Sequence, residues 1–326
     1  MIEKNISGKD LSIVIPHYNS PNLLDKLIRS IPDKDEIQII VVDDNSNQSQ
    51  EELIKVKSKY SARMEFYTNE SGIQSAGSCR NIGMRHAQGK WILFADADDY
   101  FLPGMYDIVQ KYFESDYDMV VFTPTSVVSG TDQISNRHVH MAKVIDNYMR
   151  NPSKENYLAM SAFEISFPWS KLIRRSVIEE NDILFSQSLH WNDMVFSAKL
   201  GFFCAKVTAS YEQIYCVTRK SGSLTTQISE EAYDIRLNEY IQKCVFLREK
   251  YGSELCNHMH LTGAGLLYTA MQQRYGVRKY LEIIRKFQRN GIPVITLKEY
   301  SPVHIVRMVC YRAKQKSEDK KYYVHG

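Results

Sequence analysis

Three carboxylates stand within four residues in the stretch "FADADDYFLPG", which runs from Phe94 to Gly104. Asp96, Asp98 and Asp99 each raise the electrostatic cost of ionising the others, because like charges repel at short range. Two explanations fit this spacing. One is a solvated turn, where Asp is common, and the other is a site for a divalent cation, which prefers oxygen ligands. The choice between them depends on what the fold places around the cluster.

Two further polar clusters follow apolar runs. "PHYNS" (16–20) comes after "LSIVI", and "DDNSN" (43–47) comes after "IQIIVV". Ligands of open α/β sheets bind at the carboxyl ends of strands, so the three clusters are expected at one sheet edge. The GxGxxG fingerprint of a nicotinamide or flavin site does not follow the first run. A dication held by the Asp cluster would neutralise the phosphates of a bound nucleotide instead.

The elements that must position these clusters alternate between strand and helix as far as Thr123. Short, β-branched apolar runs are typical of strands that are buried on both faces of a parallel sheet. Between the first two runs, "SPNLLDKLIRSI" has helical spacing and a Ser-Pro start. The alternation then continues along the chain. It predicts an α/β fold with a Rossmann-like, doubly wound sheet and right-handed crossovers.

The pattern changes after Thr123. "PTSVVSGTDQISNRHVH" predicts a hairpin or a long loop, and "SAFEISFPWSKLIRRSVIEEN" predicts a strand, a turn and a short helix. "NDMVFSAKLGF" predicts a helix capped by Asn192. Two β-rich runs follow, and then "KSGSLTTQ" predicts a mobile loop. From about Ser229 the periodicity is helical, which predicts a helical C-terminal extension.

Composition restricts the class of protein. The 326 residues are 44% hydrophobic and 24% charged, as in ordinary globular proteins. No run approaches the roughly 20 apolar residues of a membrane-spanning helix, and the N-terminus lacks the apolar core of a signal peptide. Six scattered Cys without a CxxC pair predict reduced thiols in a cytoplasmic protein, rather than a disulfide framework or a zinc site.

Five segments resemble those of the family-two glycosyltransferases, in the order expected of that family. They are "LSIVIPHYNSPNLLDKLIRSI", "IIVVDDNSN", "SAGSCRNIGMRHAQGKWILFADADD", "FPWSKLIRRSVIEEN" and "LHWNDMVFSAKL". The resemblance covers residues 11–225 and is closest to bacterial enzymes that build capsule, lipopolysaccharide or O-antigen chains. It implies a GT-A fold with a mixed sheet, a nucleotide-diphospho-sugar donor, Mn²⁺ or Mg²⁺ as cofactor, and inversion at the anomeric carbon.

The resemblance also implies roles for individual donor-side residues. Asp98 would bind the metal directly, Asp96 would bind the ribose or a metal-bound water, and Asp99 could exchange roles with either. Asp44 would hydrogen-bond the base, usually uracil, and Asp43 would lie near the ribose. The remaining residues at the nucleoside and the diphosphate would be Pro16, His17, Tyr18, Asn19 and Arg80.

One general base is expected on the acceptor side. Inverting transfer needs a group that takes the proton of the attacking hydroxyl, whereas a bound metal stabilises the leaving diphosphate without a second acid. Asp193 in "LHWNDMVF" suits this role and matches the acidic motif of the family, although Asn192 stands where Glu is common. The alternative for Asp193 is a helix-start residue that interacts with the helix dipole.

Two tryptophans and a basic pair flank the region of Asp193. Trp191 and Trp169 are candidate platforms for an acceptor sugar, and core packing is the alternative, above all for Trp169. Arg219 and Lys220 begin the loop "RKSGSLT", which would close over the donor diphosphate and exclude water. A solvated loop is the alternative for these two cations.

The expected enzyme is a metal-dependent inverting hexosyl- or N-acetylhexosaminyltransferase. It would move a sugar from a nucleotide-diphospho-sugar, with UDP-sugar as the favoured donor, to a hydroxyl of a glycan or a lipid-diphosphate-linked acceptor. Residues 1–125 would bind the donor, 126–226 the acceptor, and 227–326 would form a helical module. The alternative is a catalytically degenerate GT-A protein that binds a glycan or a nucleotide-sugar.

The C-terminal end is strongly basic. Residues 274–326 carry 13 Lys+Arg against 4 Asp+Glu in a chain whose net charge is +3. We expect residues 301–326 to contact an anionic membrane surface, which would hold the cytoplasmic enzyme peripherally at the inner face of the membrane. Packing on the catalytic domain or a homodimer interface is the alternative. Without interleaved aromatic and basic readout motifs, nucleic acid is not an expected partner.

Overall fold

The computed structural model describes residues 8–219 and 229–295. The chain divides into two compact units, Met1–Arg219 and Lys220–Gly326. The first unit contains all the site residues predicted above for catalysis, donor, metal and acceptor. The predicted mobile loop after Arg219 and the predicted membrane-contacting segment 301–326 lie outside the described residues.

The strands of the first unit coincide with the apolar, β-branched runs. The second strand is buried along its whole length, and so is the fourth, because helices cover both faces of the sheet. The strands are β1 (Leu11–His17), β2 (Ile37–Asp43), β3 (Met64–Thr68), β4 (Trp91–Phe94), β5 (Tyr100–Phe101), β6 (Met119–Phe122), β7 (Thr125–Val128), β8 (Lys171–Arg174), β9 (Val207–Ser210) and β10 (Tyr215–Arg219).

Seven of these strands form one sheet in the order β3-β2-β1-β4-β8-β6-β9. β1 runs parallel to β2 and β4, and β2 runs parallel to β3, whereas β8 is antiparallel to both of its neighbours. The α/β class and the mixed sheet are therefore confirmed. Because β2, β1 and β4 are parallel neighbours, their carboxyl ends lie at one edge of the sheet.

A second, three-stranded sheet has the order β5-β10-β7. β5 follows the Asp cluster directly and pairs antiparallel with β10, which in turn runs parallel to β7. The small sheet thus ties the loop after β4 to the end of the first unit. The polar stretch after Thr123 forms β7 and a short hairpin, in which Val127 bridges antiparallel to Ile134.

The helices of the first unit begin with α1, whose first residue is Pro21, as the Ser-Pro signal predicts. A 3-10 turn (Gln110–Tyr112) continues α4, and a π-helical turn (Ala159–Phe163) continues α6. The helices are α1 (Pro21–Ser30), α2 (Gln50–Lys59), α3 (Ala76–His86), α4 (Met105–Val109), α5 (Val139–Arg150), α6 (Lys154–Leu158), α7 (Arg175–Glu180) and α8 (Met194–Phe203).

One predicted element is wrong. "SAFEISFPW" does not begin with a strand, because Ala159–Phe163 forms the π-helical turn, and the strand β8 starts only at Lys171. Short buried apolar runs suit a strand and a buried helical segment equally, so their pattern does not separate the two. The signal that could have decided is Ser153, whose side chain accepts the N–H of Asn156 and caps the helix that leads into the turn.

α3 lies close to the sheet and to a later loop because two of its residues are glycines. A Cβ on Gly83 would overlap the side chain of Val14 in β1, and a Cβ on Gly77 would overlap the carbonyl oxygen of Ser186. These approaches bury the helix from Gly77 to Met84, including Arg80. α3 therefore carries a buried guanidinium into the region between the sheet edge and the loop before α8.

The described part of the second unit is helical, as the sequence predicts. Ser229 caps the first helix by accepting the N–H of Ala232. Lys279 is buried among the carboxylates of Glu230, Asp234 and Glu282, at 3.2, 2.7 and 3.3 Å. The helices are α9 (Glu230–Tyr251), α10 (Ser253–His258), α11 (Ala264–Gln272) and α12 (Val277–Arg289).

Across residues 8–219 and 229–295, none of the helices combines the length and the apolar character that crossing a membrane requires.

Candidate active site

Polar residues from three loops meet at the carboxyl ends of β2, β1 and β4. The register places His17 opposite Asp43 where β1 and β2 end, and the Asp cluster follows β4 directly. Asn19 joins the first two loops, because its Oδ1 accepts the N–H groups of Asn47 and Gln48 at 2.9 and 3.0 Å. The three clusters therefore follow neighbouring strands at one edge of the sheet, and hydrogen bonds join the first two of them.

His17 is buried at this edge of the sheet and contacts Asp43. Its imidazole is fully buried, with Nδ1 2.7 Å from Oδ1 of Asp43, and its Nε2 accepts the N–H of Ser20 at 3.2 Å. A neutral imidazole has one donor and one acceptor nitrogen, so these contacts place the proton on Nδ1. The side chain of His17 is thus enclosed and orients Asp43, and the predicted place of His17 in the lining of the nucleoside pocket stays a prediction.

Asp43 also binds its own loop. Its carboxylate accepts the hydroxyl of Ser46 at 2.6 Å and the N–H of Ser46 at 3.0 Å. Burial opposes ionisation, but the hydrogen bonds from His17 and Ser46 prevail and hold the pKa of Asp43 below its ordinary value. Asp43 is therefore an ionised, fixed acceptor at neutral pH.

Asp44 is buried beside Asp43 and faces a different partner. Its Oδ1 accepts the side-chain amide of Asn69 at 2.6 Å, and its carbonyl oxygen accepts the amide of Gln74 at 3.2 Å. Burial and the charge of Asp44 raise the pKa of the Cys79 thiol. Tyr18 is 45% exposed in the neighbouring loop, so its ring is accessible to a ligand.

Asp99 turns away from solvent. Its side chain accepts the hydroxyl of Tyr215 at 2.9 Å and the N–H of Thr218 at 2.6 Å, and the residue is 3% exposed. The same hydroxyl of Tyr215 accepts the N–H of Asp96 at 2.8 Å. Burial, with the charges of Asp98 and Asp96, raises the pKa of Asp99 well above its ordinary value. Asp99 thus anchors the cluster to the second sheet.

Arg80 joins the Asp cluster to the loop before α8. One guanidinium nitrogen, Nη2, donates to Oδ1 of Asp96 at 2.6 Å, and Nη1 donates to Oδ1 of Asn192 at 2.9 Å. The guanidinium also lies 5.2 Å from the ring centre of Phe185. The predicted contact of Arg80 with the donor diphosphate stays a prediction, since two of its nitrogens are already bound inside the protein.

Asn192 does not cap α8 as predicted. The N-cap residue is Asp193, and Asn192 uses its side chain to accept from Arg80 and to donate to the carbonyl oxygen of Ser188 at 3.1 Å. An Asn directly before a helix is a common N-cap, which is why the sequence predicts this role for Asn192. The sequence does not reveal that the buried Arg80 takes up the side-chain oxygen of Asn192.

Asp193 occupies the N-cap position, yet its carboxylate makes no capping hydrogen bond. The residue does stand at the start of α8, so an interaction with the helix dipole remains the alternative to the role of general base. Burial raises the pKa of Asp193 to about 6, and the negative charge of Asp96 acts in the same direction. The positive charges of Arg80 and Lys171 lower this pKa but do not outweigh the burial. A carboxylate with this pKa can accept a proton near neutral pH.

Asp96 and Asp98 are the partly exposed members of the Asp cluster. Within the described residues, no three Asp, Glu, His or Cys side chains are arranged to hold a metal ion by themselves. Asp96 and Asp98 together offer two carboxylates to a cation at this edge. That is the usual arrangement for Mg²⁺ when substrate phosphates complete its coordination, so the residues fit a dication shared with a diphosphate.

The two tryptophans differ in environment. Trp169 is 2% exposed and its ring stacks on Tyr215 and Phe167, so it is a core residue, and the expectation of an acceptor platform is corrected. Trp191 is partly exposed and has a φ of 55°, a conformation that is rare for bulky side chains. This local strain beside Asp193 is compatible with the predicted acceptor role.

Arg219 ends β10 instead of beginning a loop. Its guanidinium donates to Oδ1 of Asn136, and its carbonyl oxygen accepts the N–H of Ser129 at 2.9 Å. The side chain is thus held against the hairpin that follows β7. Its predicted contact with the donor remains a prediction, since the rest of the proposed closing loop lies outside the described residues.

Sequence reasoning missed Tyr215, Asn69 and the bridging role of Asn192. Tyr215 lies in the β-rich run "EQIYCVTR", where a tyrosine is ordinary. The only available signal was that a buried tyrosine hydroxyl usually forms a hydrogen bond with some partner. Asn69 gave a weak signal as an isolated polar residue directly after a strand.

We expect Tyr215→Phe to lower the free energy of unfolding by about 1–3 kcal/mol, because it leaves the N–H of Asp96 and an oxygen of Asp99 buried without their partner. Urea unfolding measures this change. Tyr106→Phe, which removes a hydroxyl from another buried tyrosine, is the matched control. Equal stability of Tyr215→Phe and the wild type would contradict the anchoring role.

The fold is of the GT-A type, as the likeness to two solved glycosyltransferases shows. Residues 1–349 of TarS from Staphylococcus aureus, solved in complex with UDP-GlcNAc, match with a TM-score of 0.65 at 18% identity, over 96% of this chain and 89% of that one. The mannosyltransferase PcManGT from Pyrobaculum calidifontis, in complex with GDP-Man and Mn²⁺, matches with a TM-score of 0.57 at 13% identity, over 97% and 86%.

Sequence similarity defines the family. The family described as glycosyl transferase family 2 matches residues 12–181, more than half of the chain. The glycosyltransferase EpsH of Bacillus subtilis is 25% identical over 73% of this chain and 69% of its own length. The S. aureus poly(ribitol-phosphate) beta-N-acetylglucosaminyltransferase TarS is 23% identical over 65% of this chain, which spans only 36% of TarS. The chain belongs to glycosyl transferase family 2, which confirms the resemblance seen in the sequence.

Proposed function

We propose that this chain is a metal-dependent inverting glycosyltransferase that moves a sugar from a UDP-sugar to an acceptor hydroxyl. The observation that carries this proposal is the double contact of Arg80, with Asp96 in the Asp cluster and with Asn192 beside Asp193. It joins a donor-side group of carboxylates to one separate carboxylate with a pKa of about 6. Inverting transfer needs these two parts, one for the diphosphate and one for the proton.

The donor would lie along the carboxyl ends of β2, β1 and β4. Asp44 and Asn69 would bind the edge of the base, and the exposed ring of Tyr18 would contact its face. Pro16 and Asn19 would shape the same pocket, while Asp43 would reach the ribose. The complex of TarS with UDP-GlcNAc supports a uridine nucleotide as the donor.

Asp98 and Asp96 would hold Mn²⁺ or Mg²⁺, because both are partly exposed and carboxylate oxygens are the ligands these ions prefer. Asp99 is the least suited of the three, since both of its contacts face the protein interior. The PcManGT complex with Mn²⁺ supports the choice of cofactor. When bound, the cation would stabilise the negative charge on the departing diphosphate.

Asp193 would take the proton of the acceptor hydroxyl while the hydroxyl oxygen forms its bond to the anomeric carbon. The bond between this carbon and the diphosphate breaks, and its electron pair leaves with the diphosphate. Attack from the opposite face inverts the configuration. Arg80 would hold Asp96 in place, and its contact with Asn192 would fix the loop that carries the base.

A panel of nucleotide-sugars tests this function. With Mn²⁺, one UDP-sugar should raise the melting temperature more than GDP-mannose does, and the enzyme should slowly release UDP from it when water replaces the acceptor. Stabilisation without release of UDP, and without transfer to any glycan, would favour the degenerate binding protein instead. The absence of any response to nucleotide-sugars would contradict both functions.

The acceptor is proposed to be a glycan or a lipid-diphosphate-linked saccharide in surface polysaccharide synthesis, at the inner face of the membrane. The exposed side chains along α12 support contact with anionic lipid, because three cations there lie on the same side of the helix as one exposed apolar residue. Arg278, Leu281, Arg285 and Arg289 follow one another at helical spacing, and Leu281 is 46% exposed.

Vesicle binding tests this contact. The wild type should sediment with vesicles that contain phosphatidylglycerol and not with pure phosphatidylcholine. Replacing Arg278 and Arg285 by Glu should weaken the binding by at least about tenfold, since each cation near an anionic surface is worth about 1 kcal/mol. Lys55→Glu with Lys154→Glu gives the same change in charge at exposed positions of the first unit. Equal loss in both variants would indicate net charge alone and contradict the α12 contact.

A further inference from the structure

Three aromatic rings form a stack that runs from the interior to the surface of the first unit. The ring centre of Trp169 lies 5.8 Å from that of Tyr215, with 16° between the planes, and the ring centre of Phe167 lies 4.9 Å from that of Trp169, with 18°. Tyr215 and Trp169 are buried, whereas Phe167 is 37% exposed. The stack therefore ends in a ring that is open to solvent.

The inner end of this stack is tied to the Asp cluster. The hydroxyl of Tyr215 accepts the N–H of Asp96 and donates to the carboxyl group of Asp99. A ligand in contact with Phe167 would thus be connected, through the stacked rings of Trp169 and Tyr215, to the Asp cluster. The Asp cluster is the part of the site proposed to hold the metal and the diphosphate. Packing between flat buried rings leaves little freedom for the outer ring to move.

The backbone next to the outer ring is tied to the helix of the proposed base. The carbonyl oxygen of Ser166, the residue before Phe167, accepts the hydroxyl of Ser197. Ser197 lies one turn into α8, where its N–H donates to the carbonyl oxygen of Asp193 at 2.9 Å. Lys171 also holds the backbone before Phe167, because its Nζ donates to the carbonyl oxygen of Ile165 at 2.8 Å. Phe167 is therefore connected to both parts of the proposed reaction site through its neighbours, Trp169 on one side and Ser166 on the other.

Aromatic side chains are prominent in the lining of ligand sites, where a few polar groups fix the orientation of the ligand. One face of Phe167 is covered by Trp169, so the exposed area belongs to its other face and its edge. The face of an aromatic ring is apolar and carries partial negative charge, which suits the C–H groups on one side of a pyranose ring. An open-chain polyol phosphate offers no comparable flat surface.

We propose that Phe167 is the platform on which the acceptor sugar rests, and that it selects an acceptor with a pyranose ring. This inference rests on the proposed transferase function and adds the substrate class and the residue. It assigns to Phe167 the role that the sequence suggested for Trp169. Trp169 instead supports the platform from within.

Saturation-transfer NMR on the full chain tests the platform with two probes, methyl β-D-glucopyranoside and ribitol 5-phosphate. Phe167→Ala should weaken pyranoside binding by about tenfold, whereas Phe167→Tyr, which keeps the ring, should stay within about twofold of the wild type. Phe202→Ala removes a ring that is 36% exposed, and this control should bind like the wild type. All variants should bind UDP in Mn²⁺ with unchanged affinity.

Rescue by Tyr at position 167, with unchanged UDP binding, separates a platform from a merely structural role. The inference is overturned if the wild type does not bind the pyranoside, if Phe167→Ala binds it equally well, or if ribitol 5-phosphate is the probe that depends on Phe167. Titrations are made with and without UDP. Failure of UDP to bind would contradict the proposed function. The binding of the pyranoside to wild type and Phe167→Ala would still show whether Phe167 contacts the sugar.

Discussion

Asp193→Asn should lower kcat for sugar transfer by about 10²–10⁴-fold, the range for loss of a general base. The amide has almost the same shape as the carboxylate but cannot take the proton of the acceptor hydroxyl. Because Asp193 makes no capping hydrogen bond, the substitution should leave α8 intact. The Kd of the UDP-sugar, measured by calorimetry, should stay within about twofold of the wild-type value.

The pH profile provides a second measure of the same residue. The pKa of about 6 means that the working carboxylate is lost below this pH, so wild-type kcat should fall about tenfold for each pH unit below it. Asp193→Asn should lose this acid limb, whereas the exposed control Asp182→Asn should keep both the rate and the profile. Near wild-type transfer by Asp193→Asn would rule out Asp193 as the base.

Asp98→Asn should abolish the gain in UDP-sugar affinity that Mn²⁺ gives to the wild type. The expected loss is about 100-fold in Kd, because a dication bridging a diphosphate contributes several kcal/mol. Binding of the nucleotide without metal should change little. The neutral side chain removes a direct metal ligand in the proposal, while it also relieves repulsion within the Asp cluster and should leave stability intact.

Two further substitutions make this experiment specific. Asp107→Asn, at an exposed position of α4, should retain the full response to Mn²⁺. Asp99→Asn should mainly lower stability, since Asp99 is buried against Tyr215 and Thr218. If Asp98→Asn keeps the Mn²⁺ response and Asp99→Asn loses it, the direct ligand is Asp99 and the proposed assignment is wrong.

Much of the fold could be predicted because parallel strands buried on both faces must be nearly continuous apolar runs. "LSIVI" and "IQIIVV" therefore became β1 and β2, and the polar clusters after them could be placed at one sheet edge. The same reasoning failed at "SAFEISFPW", where the apolar run is too short to distinguish a strand from a buried helical turn.

The contacts inside the site were harder to predict, because they depend on the strand order rather than on local pattern. Arg80 meets Asn192 across 112 positions, and Tyr215 meets Asp96 across 119. Nothing near Trp169 in the sequence indicates that Phe167 and Tyr215 cover its two faces. Residue types alone could suggest the chemistry of the Asp cluster, but not which carboxylate turns inward.

The hydroxyl of Tyr215 has a consequence for how the protein is made. The Asp cluster leaves the ribosome 119 positions before the hydroxyl that it binds, and translation at about 5–20 residues per second makes that delay on the order of ten seconds. Until β10 pairs with β5, the carboxylates of the nascent chain lack their buried anchor. Contacts of such long range form slowly during folding. The arrangement of the Asp cluster should therefore be completed only when synthesis of the first unit is nearly complete.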